Sequence, residues 1–292
     1  MGDTTCNPDR ADKRGYLKEP FRLFQLRDRD SGAFAYHYHE FHKLILFLSG
    51  EVTYRVEGRG YALKGGDLLL IPAHAIHQPI IGGGTPYARA ILWIQPEALE
   101  DQGLEACFDR CRRQNAYLLD RGRYDQEKLT GLLRELERET GGDFGAQVLS
   151  QALFTQLMVW VNRWVLRAEP ELRERAPRSD PKIDEILAYI NQNLTADLSI
   201  DGLCRRFYLS RSWLMHRFKS VTGCPLHQYV LQKRLILAAQ LLRAGAPVGE
   251  AARRSGFRDY STFLRCFRKA YGVAPRDFGG HPASGPEEPL LP

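Results

Sequence analysis

At 292 residues, with 43% apolar and 26% charged side chains, the chain has material for two domains with full cores and is excluded from the disordered class. Its formal charge of +6 is unevenly placed: residues 181–280 carry 16 Lys and Arg against 7 Asp and Glu, a net of +9, so the rest sums to −3. The positive field belongs to one half, where a polyanionic partner would use it. No apolar run approaches 18 residues and no secretory leader is evident, so a cytoplasmic protein without membrane contact is expected.

In chain order, residues 1–16 are polar and broken by Pro8 and Gly15, the expected mobile arm. From Phe21 to about Ile94 strand-forming runs follow one another: LILFLSG, EVTYRVEG, GYALKGGDLLLIP and ARAILWI, bounded by Gly or Pro. Short strands at this spacing predict a small antiparallel barrel over 17–96. After Pro96 the period turns helical, with EKLTGLLRELERE and AQVLSQALFTQLMVWVNRWVLRAE, and residues 97–167 are read as a helical dimerisation segment. There Leu149, Leu153, Leu157, Trp160 and Trp164 form an apolar stripe, wide enough to pack on the barrel and to serve as a seam between two copies. The segment 168–180, charged and interrupted by prolines, reads as a linker. The six cysteines, Cys6, Cys107, Cys111, Cys204, Cys224 and Cys266, show no CxxC pair; reduced thiols are expected, with Cys107 and Cys111 filling space rather than forming a redox pair.

Residues 181–280 contain one unit twice. At an offset of 49, Ser210 aligns with Asp259, Ser212 with Ser261, Phe218 with Phe267, Lys219 with Arg268, Gly223 with Gly272 and Tyr229 with Phe278. Each copy reads as a short helix, a turn and a second helix opened by a capping residue, which is the helix-turn-helix arrangement. Between them Pro225 to Arg243 lacks glycine and predicts a rod of about 28 Å at about 1.5 Å per residue. Such a rod holds two recognition helices near one DNA turn, about 34 Å, apart. Residues 281–292 are read as a flexible tail.

These stretches, LSIDGLCRRFYLSRSWLMHRFKSVTGCPLHQYVLQKRLILAAQLL and VGEAARRSGFRDYSTFLRCFRKAYGVAPRDF, resemble the DNA-binding domain of the AraC/XylS transcription regulators. In the second, Gly256-Phe257, Ser261, Phe263, Phe267, Tyr271-Gly272 and Pro275 fall at the family's spacings. The first departs at Tyr208, where a turn glycine is common, and at Gly202 and Cys204; a strained turn and a helix softened by up to about 1 kcal/mol are expected. Helical direction places Ser212, Met215 and His216 at base edges in the first copy, with Arg211 just before them. In the second the same positions hold Ser261, Leu264 and Arg265, with Tyr260 at the edge; the family's contact positions fall in the same places. Arg265 suits guanine O6 and N7, while Lys219, Arg258, Arg268 and Lys269 suit phosphates. Trp213, Leu214, Phe218, Phe263 and Phe267 are assigned to the core.

The front half resembles the cupin-like sensor domain of many such regulators, through HYHEFHKLILFLSG and GGDLLLIPAHAIHQP. His37 and His39 stand as its HxH, and Gly50, Gly66, Pro72 and His77 fall on the two motifs. The resemblance implies an α+β protein with a cupin-like barrel and an all-α tandem helix-turn-helix domain. Its implied partners are promoter DNA, a small-molecule effector, a second copy and RNA polymerase. Three imidazoles in a barrel could hold Zn, Fe or Ni, with His74 or His42 as a substitute fourth ligand, but the metal-binding cupin's glutamate position is Lys43, and an ammonium repels a divalent ion. The expectation is therefore no cofactor, and an organic, anionic or hydroxylated effector held by His37, His39, Lys43 and His77. With the carboxylate missing, a regulator without catalytic residues is preferred to a cupin oxygenase or isomerase bearing an accessory helical domain.

Overall fold

The computed structural model describes residues 17, 19–28, 32–33, 37–82, 84–100, 102–139, 143–168 and 180–278. The expected arm, tail and nearly all of the expected linker lie outside them. The strands are β1 (Phe21–Asp28), β2 (Gly32–Ala33), β3 (His42–Ser49), β4 (Val52–Val56), β5 (Arg59–Ala62), β6 (Leu68–Ile71), β7 (His77–Ile81), β8 (Tyr87–Ile94) and β9 (Leu118–Leu119). They form two antiparallel sheets, ordered β1-β8-β3-β6-β9 and β2-β7-β4-β5. One continuous core, including Leu44, Phe47, Tyr54, Tyr61, Leu69, Ile91 and Trp93, joins them.

The run read as GYALKGGDLLLIP is two strands in different sheets. At Lys64-Gly65-Gly66-Asp67 the chain turns, with Asp67 Oδ2 accepting from Lys64 N at 2.8 Å and Gly66 at φ 88°. Strand β7 was hidden by Pro79, which has no N–H to give a ladder. Its neighbour β2 pairs only with Ile80 and Ile81, so that ladder does not extend to Pro79.

Helices α1 (Glu97–Glu100), α2 (Ala106–Gln114), α3 (Gln126–Arg138) and α4 (Ala146–Arg167) follow β8, with the short β9 between α2 and α3. The stripe expected on α4 divides. Leu153 and Leu157 are buried with Phe154, Met158, Val161 and Val165 in the protein's own barrel core, and Trp160 and Trp164 pack on its margin, whereas Leu149 is 48% exposed. Leu153 and Leu157 are thus not available as a seam between copies. Cys107 and Cys111 are buried in the same core, and burial pushes the Cys107 thiol well up and Cys111 up to about 12, so both are inert space-fillers as expected. Among the described residues no helix is long and apolar enough to cross a membrane.

The repeat half is helical throughout: α5 (Pro181–Gln192), α6 (Ile200–Phe207), α7 (Arg211–Thr222), α8 (Leu226–Arg243), α9 (Val248–Arg254), α10 (Tyr260–Tyr271) and α11 (Pro275–Phe278). The predicted caps form: Ser210 accepts from Trp213 N, and Asp259 from Thr262 N. Pro225 is the N-cap residue of α8 rather than its first helical residue. The first unit packs Ile186, Leu203, Leu214, Phe218 and Tyr229 together; the second packs Leu235, Leu242, Phe263, Phe267 and Phe278.

Tyr208 takes the left-handed conformation (φ 56°, ψ 49°) that the missing glycine implied. Gly202 has a packing reason: a Cβ there would lie 2.7 Å from the Asp197 carbonyl oxygen. In the second unit Gly256, at φ 92°, would bring a Cβ to 2.1 Å from the Leu194 carbonyl oxygen. Gly256→Ala is expected to destabilise the helical domain by about 2 kcal/mol or more. Gly249→Ala, with open space around it, should stabilise by up to about 1 kcal/mol. Denaturant midpoints followed by far-ultraviolet circular dichroism check both; equal midpoints would contradict the packing described.

Candidate DNA interface and effector pocket

Each recognition helix buries one side and offers the other to solvent. On α7, Leu214 and Phe218 are buried while Arg211, Ser212, Met215, His216 and Lys219 are exposed; on α10, Phe263 and Phe267 are buried while Tyr260, Ser261, Arg265, Arg268 and Lys269 are exposed, with Arg258 exposed just before it. Leu264 is half-buried against the second core, so it offers less to a base edge than expected.

Trp213 corrects the core assignment. It is 37% exposed and lies beside Ser212 on the solvent side of α7. Its repeat partner at offset 49 is Thr262, a polar residue, and that mismatch was the available signal. Arg211 forms an exposed pair with Asp201 at 3.1 Å, an interaction weak enough to exchange for a phosphate or base. The Ser210 and Asp259 caps fix where each exposed face begins.

Inside the barrel the structure brings His37, His39 and His77 together, with one ring nitrogen of each within 4.8 Å of the others. Ring centroids lie 5.0 Å (His37–His39), 4.4 Å (His37–His77) and 5.4 Å (His39–His77) apart. Segment 37–39 is positioned by a backbone bridge between His37 and His77, with N···O distances of 3.1 and 2.9 Å. Lys43 is fully buried, with Nζ 5.6 Å from the Trp93 ring centroid. Burial, then the Lys43 charge, holds His39 well below the ordinary imidazole value, and burial, then His37 and Lys43, does the same to His77.

The protonation of His77 can be read from its partner. Nδ1 lies 2.8 Å from the Ala75 carbonyl oxygen, which can only accept, so Nδ1 carries the proton. Neutral His77 therefore presents a bare Nε2 lone pair, and that atom is buried with no hydrogen-bond partner, as is Nε2 of His39. In this tautomer His77 Nε2 can accept a hydrogen bond and cannot donate one. The two substitute ligands considered for a metal are elsewhere. His42 points to the other face of β3, stacks on Phe108 at 4.1 Å and accepts from Ala73 N at 3.0 Å. His74 lines a separate cleft with Glu57, Arg112 and Lys233.

Comparison with known proteins agrees with both halves. The profile described as "AraC-like ligand binding domain" matches residues 24–158, and the one described as "Helix-turn-helix domain" matches residues 203–280. The HTH-type transcriptional activators RhaS of Salmonella arizonae and Salmonella typhimurium are each 28% identical over 251 residues, covering 84% of this chain and 87% of theirs. Among solved structures, the AdpA DNA-binding domain in complex with a target DNA is 31% identical, covers 35% of this chain and 92% of its own, and has a TM-score of 0.33. ToxT of Vibrio cholerae is 13% identical over 89% of this chain and 97% of its own, with a TM-score of 0.36. A ligand-binding barrel followed by two helix-turn-helix units defines a class, the ligand-binding transcription regulators. The chain belongs to the AraC family of these regulators.

Four histidines set an acid limit on the fold. Burial holds His39, His42 and His77 well below 6.5 and His74 at about 3. In the unfolded chain each titrates near 6.5, so below that pH the unfolded state binds more protons. Stability is then complete above about pH 6.5 and falls toward the folded-state values, by about 1 kcal/mol per histidine per pH unit. Glu40, whose carboxyl burial raises, acts with the opposite sign, so Glu40→Gln is measured alongside. Thermal melts followed by tryptophan fluorescence should show a constant Tm from about pH 7 to 8 and a steep fall between about pH 6.5 and 5. A flat Tm through that window would contradict neutral, buried imidazoles.

Proposed function

We propose that this regulator responds to a small organic effector carrying both a hydroxyl and an anionic or acceptor group, bound among His37, His39, Lys43 and His77. The observation that carries this reading is the bare, buried Nε2 of His77 in the same interior as the Lys43 ammonium. The bare lone pair can accept from a hydroxyl and the ammonium attracts an anionic group, and a hydroxy acid offers both. A divalent ion would suit the imidazoles but be repelled by the Lys43 charge beside them. The pocket has a binding role rather than a catalytic one. Thermal-shift screening of the full chain against hydroxy acids, polyols, simple carboxylates and Zn, Fe or Ni salts tests it. Hydroxy acids should raise the Tm of the wild type and not of Lys43→Met. A shift by a metal alone, lost in His77→Ala, would replace the organic effector by a metal.

Promoter DNA is read, on this proposal, by the exposed faces of α7 and α10. Arg211, Ser212, Met215 and His216 serve the first half-site and Tyr260, Ser261, Leu264 and Arg265 the second, while Lys219, Arg258, Arg268 and Lys269 hold phosphates. Arg265→Ala should cost about 1 to 3 kcal/mol and relax preference at one base pair. Lys219→Ala should weaken all sequences alike and reduce the salt slope by about one. Binding titrations on a sequence-variant panel at several salt concentrations distinguish the two; uniform loss for Arg265→Ala would remove it from base reading. A homodimer would use the exposed Val148 and Leu149 of α4, the protein acting in the cytoplasm.

A further inference from the structure

Strand-like alternation gives segment 37–40 two faces. His37 and His39 turn inward, where their rings cluster with that of His77, and the residues between and after them turn outward onto the second helix-turn-helix unit. Tyr38 Oη lies 3.1 Å from Tyr271 Oη at the end of recognition helix α10, and Tyr271 in turn donates to the Leu235 carbonyl of α8. Both Glu40 carboxylate oxygens lie 2.6 Å from an Arg243 guanidinium nitrogen at the last turn of α8.

The third pocket histidine has the same kind of neighbour. Ile76, next to His77, packs in the core of the first unit, and its N–H donates to Glu57 Oε1 at 2.7 Å. Glu57 sits at φ 47° in the tight β4–β5 turn, whose tip enters the first unit. It accepts from Lys233 Nζ at 2.6 Å and from the Tyr229 hydroxyl, both on α8. The following Gly58 lies so close to α5 that a Cβ would come within 2.6 Å of Leu187 Cδ1, and Arg59 Nη2 is 3.4 Å from Asp184 Oδ2. Between the two sets of contacts runs a cleft of about 530 Å³, lined on one side by His74 and Glu57 and on the other by Lys233 and Gln240.

We propose that the barrel grips both DNA-reading units at once, through the outward-facing chain neighbours of its pocket histidines, and that the pocket controls DNA affinity through these grips: Tyr38 and Glu40 on the second unit, Glu57 and Ile76 on the first. Every reading position remains exposed in this arrangement, apart from the half-buried Leu264, so the grips act on the orientation of each unit about α8, whose length sets their spacing, and not by covering them. A backbone displacement at His37 or His39 carries Tyr38 and Glu40 with it, because neighbouring residues share peptide planes. Packed contacts such as Tyr38–Tyr271 have few alternative arrangements, so the response is a shift between discrete placements. The inference rests on the DNA-binding and pocket readings above.

The test is a double-mutant cycle on the full chain, needing no effector. Four proteins are compared: wild type, Lys43→Met in the pocket, Tyr38→Phe with Glu40→Gln in the grip, and the triple variant. The DNA is a duplex selected by the wild type from a random-sequence pool. Lys43→Met should change affinity by at least about fivefold in the wild-type background and by a clearly smaller factor when the second-unit grip is broken, the remainder passing through Glu57 and Ile76. Glu40→Gln alone, which keeps the side chain's shape, is run in parallel so that the outcome does not depend on the double variant folding. Equal changes in both backgrounds, or none in either, would overturn the proposal. Failure of the wild type to select any duplex would instead refute the DNA-binding reading.

Discussion

Helix α8 is the constraint on which the arrangement depends. Its 18 residues are shared between two cores: Leu226, Tyr229 and Val230 belong to the first unit, and Leu235, Ala238, Ala239 and Leu242 to the second. Neither unit can complete its core without its half of the rod. The rod is continuous, about 27 Å at about 1.5 Å per residue, so burying both halves sets the separation of the two recognition helices. The stiffness that packing demands is the same stiffness that groove spacing demands.

The barrel meets this rod at two places, near Tyr229 and Lys233 and again at Arg243. Charges at these contacts are paired as burial requires: Glu57 with Lys233, and Glu40 with Arg243. Removing one partner of such a pair leaves a charge with poor solvation, which makes the contacts sensitive to small displacements. The period of two in an extended chain then does the rest. It places the imidazole cluster and the interdomain contacts on alternate residues of one segment.

Much of this was legible in the amino-acid sequence, because repetition and period survive without coordinates. The offset of 49 located both recognition helices and their caps, and HxH with His77 located the cluster of three imidazoles. What was not legible depended on long-range partners. The stripe on α4 was visible, but which side faced the barrel was settled by Phe154, Met158 and Val161 packing beneath it. Trp213 looked like core by residue type and is solvent-facing by position. The tautomer of His77 follows from the Ala75 carbonyl, a backbone atom whose placement no side-chain pattern reveals. Glu40 and Glu57 carry no motif at all; their roles arise from contact with Arg243 and Lys233, about 200 and 180 residues away by sequence separations of 203 and 176.

The central claim, that one rigid helix presents two reading heads to the same face of DNA, is tested most directly by hydroxyl-radical footprinting of the full chain on a selected duplex. The account predicts two protected windows on one face, centred about 10 base pairs apart, one helical turn. A single window, or two windows about 15 base pairs apart on opposite faces, would contradict it.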